Sequence, residues 1–207
     1  MLITLPKGPI PTIAVEDAVS MLSEANYGMH CLVVYPDLAT LREFYSHYIQ
    51  KQIEERNEAV QVYPFYETED SVRQTLSEGH NPIDVKRLER KEGALAIVDS
   101  LMKHFGGGDG DGGHVRFDMD TCKRLVDDAK TMGKSGYSIL VDAGAFAYKG
   151  RTQDLMEYEM LQPSLYEDVD MKGICLYHQQ DFNRLASEQK KKLAEHHGMA
   201  MRVVSHR

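Results

Sequence analysis

The sequence predicts one α/β domain, a three-layer α/β/α sandwich around a mainly parallel central sheet. Two patterns predict it. Apolar runs of strand length are continuous rather than alternating, as in strands covered on both faces, and stretches with three- and four-residue apolar spacing separate them. Composition agrees: 207 residues, 42% hydrophobic and 27% charged, suit one globular domain. A chain of this length buries roughly 70% of its unfolded surface, so its core needs no disulfide or metal.

Residues 1–25 read as an N-terminal extension in which Val15, Ala18, Val19 and Leu22 share one helical face, and residues 26–207 as the domain. His30 to Tyr35 (HCLVVY) is the first strand, ended by Pro36-Asp37. Asp37 suits an N-cap, and Leu38, Leu41, Tyr45, Tyr48 and Ile49 then line one helix face. Ala59 to Tyr66 is the second strand, with Pro64 marking its end or a sheet edge. Thr68 to Ser77 reads as a helix stopping at Gly79. Ala94 to Leu101 is ambiguous: alanine and leucine favour helix, while Ile97-Val98 tips the reading to strand.

Met119, Cys122, Leu125, Val126, Ala129 and Met132 form an amphipathic helix ending at Gly133. Ser138 to Asp142 and Gly173 to Tyr177 read as buried strands, with a helix over 153–161 between them. A charged helix over 187–197 and a strand over 199–204 close the chain. Gly106 to Gly113, with six glycines in eight residues, is expected to be a loop that does not pack.

Charge and cysteine usage narrow the function. A net charge of -8 opposes a large phosphate-binding surface, so neither nucleic acid nor membrane is an expected partner. Cys31, Cys122 and Cys175 are far apart and form no CxxC, which fits a reducing, cytoplasmic setting and not zinc-ligand spacing. No run approaches the ~18 apolar residues of a membrane span.

Ligands of parallel α/β sheets bind beyond the carboxyl ends of the strands. Those ends follow Tyr35, Tyr66, Asp142 and Tyr177. The turn after the first strand, YPDLATLREF, has neither the glycine nor the lysine of a Walker-type phosphate loop. Asp109 and Asp111 lack the rest of a calcium loop. Asp142 ends a buried strand, where a carboxylate serves as a magnesium ligand, a base or a cap for the next turn. Tyr35, Tyr63, Tyr66 and Tyr177 gather at strand ends, which suits either a pocket for a weakly polar ligand or core packing with satisfied hydroxyls. His30 begins a strand and His178 ends one, so chain direction sets them at opposite sheet ends. His196 and His197 are adjacent and cannot both face one metal, and Cys31 and Cys175 read as inert core. Glu157 and Glu159, two apart on a helix, face different ways.

His30-Cys31-x-x-x-Tyr35 followed by Ala59-Val60-Gln61-Val62-Tyr63 resembles the opening of the MEDS family of sensory domains. Gly173-Ile174-Cys175-Leu176-Tyr177-His178 with Phe182, and Leu193 to Val204, are similar to its closing elements. His178 stands where that family more often has Asp, and the stretch 106–113 resembles an insertion. The resemblance implies a RecA/KaiC-like core without the Walker A loop, and a role in sensing small molecules alongside signalling or transcriptional partners.

The expectation is therefore a non-catalytic regulatory domain without cofactor. It binds a small molecule at the carboxyl edge through Tyr35, Tyr66, Asp142, Tyr177 and His178, with His30 as the family-matching residue. Output runs through a partner protein or self-association into a homo-oligomer. The alternatives are a divergent ATPase using Asp142 for magnesium, with Gly106–Gly113 as its phosphate cradle, and a structural assembly module.

Overall fold

Every strand pairing in the sheet is parallel, as continuous apolar strands demand. The computed structural model describes residues 9–106 and 117–205. The glycine-rich stretch, Gly106 apart, therefore lies outside the described residues.

The chain runs β1 (Thr12–Ala14), α1 (Val15–Glu24), β2 (His30–Tyr35), α2 (Leu38–Gln50), β3 (Ala59–Tyr63) and α3 (Glu69–Glu78). It continues through α4 (Val85–Arg87), β4 (Leu95–Ile97), α5 (Ser100–Phe105), α6 (Met119–Thr131), β5 (Tyr137–Asp142) and α7 (Gly144–Tyr148). Then come α8 (Thr152–Leu161), β6 (Met171–His178), α9 (Gln179–Arg184), α10 (Ser187–His196) and β7 (Met199–Val204). Strand order is β1-β7-β2-β6-β5-β3-β4.

Alternate residues of each strand feed two cores. On the first face, Cys31, Val33 and Tyr35 of β2 and Ile174 and Leu176 of β6 meet α1, α2 and α3. On the second, Leu32 and Val34 with Cys175 and Tyr177 meet α7 and α8. Cys122, Val126 and Ala129 of α6 pack beside them against Tyr166 and Met171. That is the three-layer arrangement the apolar runs predict.

Local chemistry sets the boundaries. Asp37 accepts from the Thr40 amide at 2.9 Å and starts α2, and Thr68 accepts from Ser71 at 3.1 Å and starts α3. β3 stops at Tyr63 because Pro64 has no N–H for the ladder, yet β3 is an inner strand with β4 outside it. The ambiguous 94–101 stretch divides into β4 and the first residues of α5, with Asp99 capping the helix through the Met102 amide. Residues 12–24, read from the sequence as part of an extension, supply an edge strand paired with β7 and a helix whose Val15, Ala18, Val19 and Leu22 are buried in the first core.

Candidate functional site

The strand register decides which of the six sequence candidates meet. Tyr35 pairs with His178, and Asp142 pairs with Leu176, so β2, β6 and β5 end together at one edge. Tyr35 reaches across β6, and its hydroxyl donates to Asp142 Oδ2 at 2.7 Å. The Gly144 amide donates to Oδ1 at 2.8 Å, and Ser100 Oγ donates to the Asp142 carbonyl at 2.9 Å. The carboxylate is fully buried, and burial pushes it up to about 7 against the hydrogen bonds from Tyr35 and Gly144.

The His178 ring lies 5.4 Å from Tyr35 and 5.0 Å from Tyr66, and the Tyr66 hydroxyl donates to Asp181. Gly144 lets this edge close: a Cβ there would sit 2.5 Å from Phe65 and 2.6 Å from Tyr66. A cleft of about 80 Å³ opens beside it, lined by Ala143, Gly144, Tyr177, His178, Asp181 and Arg184. Tyr35, Tyr66, Asp142 and His178 thus form one group at the carboxyl edge. Asp37 Oδ1 accepts from an N-terminal amide of α2, where a phosphate-binding fold would turn such donors to its ligand.

His30 and Tyr177 belong to a different group, on the second face. The Tyr177 hydroxyl donates to Glu159 Oε1 of α8 at 2.5 Å. Oε2 of the same carboxylate lies 3.8 Å from His30 Nε2, 3.5 Å from Cys175 Sγ and 3.5 Å from His197 Nε2. His30 Nε2 is also 3.3 Å from Cys175 Sγ. All four residues are buried. Their orientation comes from outside the cluster. His30 Nδ1–H donates to the Pro163 carbonyl at 3.1 Å, and His197 Nδ1–H donates to the Leu193 carbonyl at 2.7 Å. A carbonyl can only accept, so Nδ1 carries a proton in each ring and Nε2 faces inward. His196, by contrast, faces the Gln162 carbonyl at 2.8 Å. Burial and the neighbouring His197 push His30 down to about 3, leaving it neutral. Burial raises Glu159, but the contacts with His197, His30 and Tyr177 outweigh it and hold the carboxyl below its usual range.

Cys175 also forms part of the wall of a cavity of about 80 Å³ between the sheet, α5, α6 and α8. Tyr63, Phe117, Tyr158 and Tyr166 supply aromatic surface there, and His104 lines it too. His104 Nε2 is buried without a hydrogen-bond partner, and burial pushes this imidazole down to about 4. Sequence reasoning missed His104 and set aside Glu159, as half of a pair facing different ways, and His197, as adjacent to His196. His104 and Glu159 belong to no spaced motif, while His197 lies in the 193–204 stretch that resembles the family's closing element; the packing of α5, α8 and the end of α10 onto the sheet brings all three forward.

The fold and its two polar groups define an all-parallel, three-layer α/β domain with its buried chemistry on both sheet faces. The chain belongs to the MEDS family, the methanogen/methylotroph, DcmR sensory domain, whose model matches residues 29–197. Comparison with curated proteins finds no match. Among solved structures, a KaiC-like protein from the hyperthermophilic archaeon Pyrococcus horikoshii OT3 is similar at 16% identity, covering 80% of this chain and 67% of its own, with a TM-score of 0.48. No helix among the described residues is long and apolar enough to cross a membrane.

Proposed function

We propose that this sensory domain admits a small, weakly polar molecule to the aromatic cavity on the second face, and that a partner protein or a second copy of the chain reads the change. The observation that carries the reading is the unpartnered Nε2 of His104 lining a largely apolar cavity. A buried polar atom without a partner costs about 1–3 kcal/mol, which a ligand hydroxyl or amine donating to it would recover. Size limits the ligand. An apolar cavity of ~150 Å³ takes benzene, and about 80 Å³ takes something smaller. One- and two-carbon alcohols, amines and halides fit, in keeping with the methanogen and methylotroph association of the family.

A second reading keeps the ligand at the carboxyl edge, in the cleft beside Tyr177 and His178. Melting temperatures measured with methanol, ethanol, methylamine and dichloromethane, with toluene as the oversized control, separate the two. The cavity reading expects the small probes to raise the melting temperature and toluene to leave it unchanged. His104→Leu should weaken the alcohols about tenfold, the value of one hydrogen bond, and spare dichloromethane. A rise that survives His104→Leu for every probe but is lost in Tyr66→Phe would move the ligand to the edge. No rise with any probe would overturn both readings.

A further inference from the structure

The four-residue cluster on the second face turns two imidazole nitrogens, a carboxylate oxygen and a thiol toward one another. Both imidazoles commit Nδ1–H to backbone carbonyls, so both Nε2 atoms face Glu159 Oε2. His197 Nε2 is buried and has no hydrogen-bond partner. The Cys175 thiol faces His30 and Glu159 together. No lysine or arginine among the described residues pairs with Glu159, although it is 2% exposed. A bound metal ion would set a full positive charge beside this buried carboxylate.

We propose that His30, Glu159, Cys175 and His197 bind one divalent transition-metal ion of zinc-like preference. Their ligand atoms all lie within 4.8 Å of one another, from four separate parts of the chain. A tetrahedral ion with nitrogen and oxygen at ~2.0–2.1 Å and sulfur at ~2.3 Å holds its donors about 3.3–3.6 Å apart. Four of the six donor pairs, at 3.3, 3.5, 3.5 and 3.8 Å, lie close to that spacing, and the other two lie within 4.8 Å. Charge closes as well. Binding displaces the Cys175 proton to solvent, and one thiolate, one carboxylate and two neutral imidazoles then neutralise a dication within the core. Imidazole, thiolate and carboxylate together select a borderline ion over magnesium or calcium, which prefer all-oxygen shells.

The outer contacts are those of a metal site. Backbone carbonyls fix both imidazole tautomers, while Tyr177 and Gln162 hold the carboxylate at 2.5 and 3.3 Å. The cavity lined by Cys175 and Gln162 gives the ion a route inward. This inference does not depend on the small-molecule reading, because the ion is bound with or without a ligand in the cavity.

The test uses the full chain, stripped with chelator and refolded with cobalt(II) or zinc(II). One cobalt per chain should survive gel filtration, with tetrahedral ligand-field bands and a thiolate-to-cobalt band that zinc displaces. Cys175→Ser should abolish the thiolate band, Cys31→Ser should keep it, and Tyr177→Phe should weaken binding roughly 10–100-fold. X-ray absorption of the zinc-loaded wild type removes dependence on variants that fail to fold. It should show one sulfur near ~2.3 Å and three lighter ligands near ~2.0–2.1 Å. A folded wild type that retains no stoichiometric metal, or that holds zinc without sulfur, overturns the assignment.

Discussion

His30 Nε2 and Cys175 Sγ approach to 3.3 Å across neighbouring parallel strands, although the two residues are 145 apart in sequence. The register makes the contact. His30 lies opposite Gly173, two places before Cys175 on the same pleat face, so the imidazole leans along β6 to the thiol.

Gly173 is required for that arrangement. A Cβ there would sit 2.6 Å from the Tyr166 hydroxyl and 2.8 Å from its ring. Gly173→Ala should displace Tyr166, which lies 5.3 Å from the His30 ring, and cost about 1–3 kcal/mol by overpacking. Urea denaturation measures the loss, and an unchanged midpoint would show that Tyr166 moves freely.

Lys172 points to the other face and pairs with buried Glu58 at 2.8 Å, with the Ser23 carbonyl at 3.0 Å and Gln52 at 3.3 Å. Glu58 also accepts from Ser138 at 2.6 Å. Lys172→Met strands a buried carboxylate and should cost about 3–5 kcal/mol. Adding Glu58→Gln should recover part of the loss, so the double variant should be more stable than the single one in the same urea series.

Asp142 gives the stability a pH dependence of definite sign. Its carboxyl is held at about 7 in the folded chain against a reference of 3.8, so between those values the native state binds the extra proton. Stability contributed by Asp142 is therefore present in acid and falls as pH rises from ~4 to ~7, by on the order of 4 kcal/mol. Asp142→Asn removes that component. The stability of Asp142→Asn relative to wild type should climb across this window and level off above it, as read from urea midpoints at several pH values.

Saturable magnesium-ATP binding is the outcome the account does not expect. The Asp37 carboxylate accepts at the start of α2, and both Asp142 oxygens are engaged inside the protein. Titration calorimetry should show no saturable heat. Micromolar binding lost in Asp142→Ala would instead favour a divergent ATPase.

Much of the fold could be read from the chain because parallel strands covered on both faces leave continuous runs such as His30–Tyr35 and Gly173–Tyr177, and the cap Asp37 marks where a helix begins. Short elements escaped: β1 is three residues long and α7 and α9 five and six, too brief to display a period. Chain direction correctly set His30 and His178 at opposite strand ends. What it could not supply was the face. Tyr177 and His178 are consecutive, so the pleat sends one to Glu159 and leaves the other beside Tyr35 and Tyr66. Cys175, read as inert core, joins a polar cluster only because α8 delivers Glu159 and the end of α10 delivers His197 to the same spot.

The most direct measurement of the central claim is amide chemical-shift mapping of the folded chain during titration with dichloromethane. The account predicts saturating shifts in β6 around Gly173–Cys175, in α6 around Thr121–Leu125 and at His104, the residues that line the second-face cavity. Shifts confined to Gly144, His178 and Asp181–Leu185 would place the ligand in the carboxyl-edge cleft and contradict it.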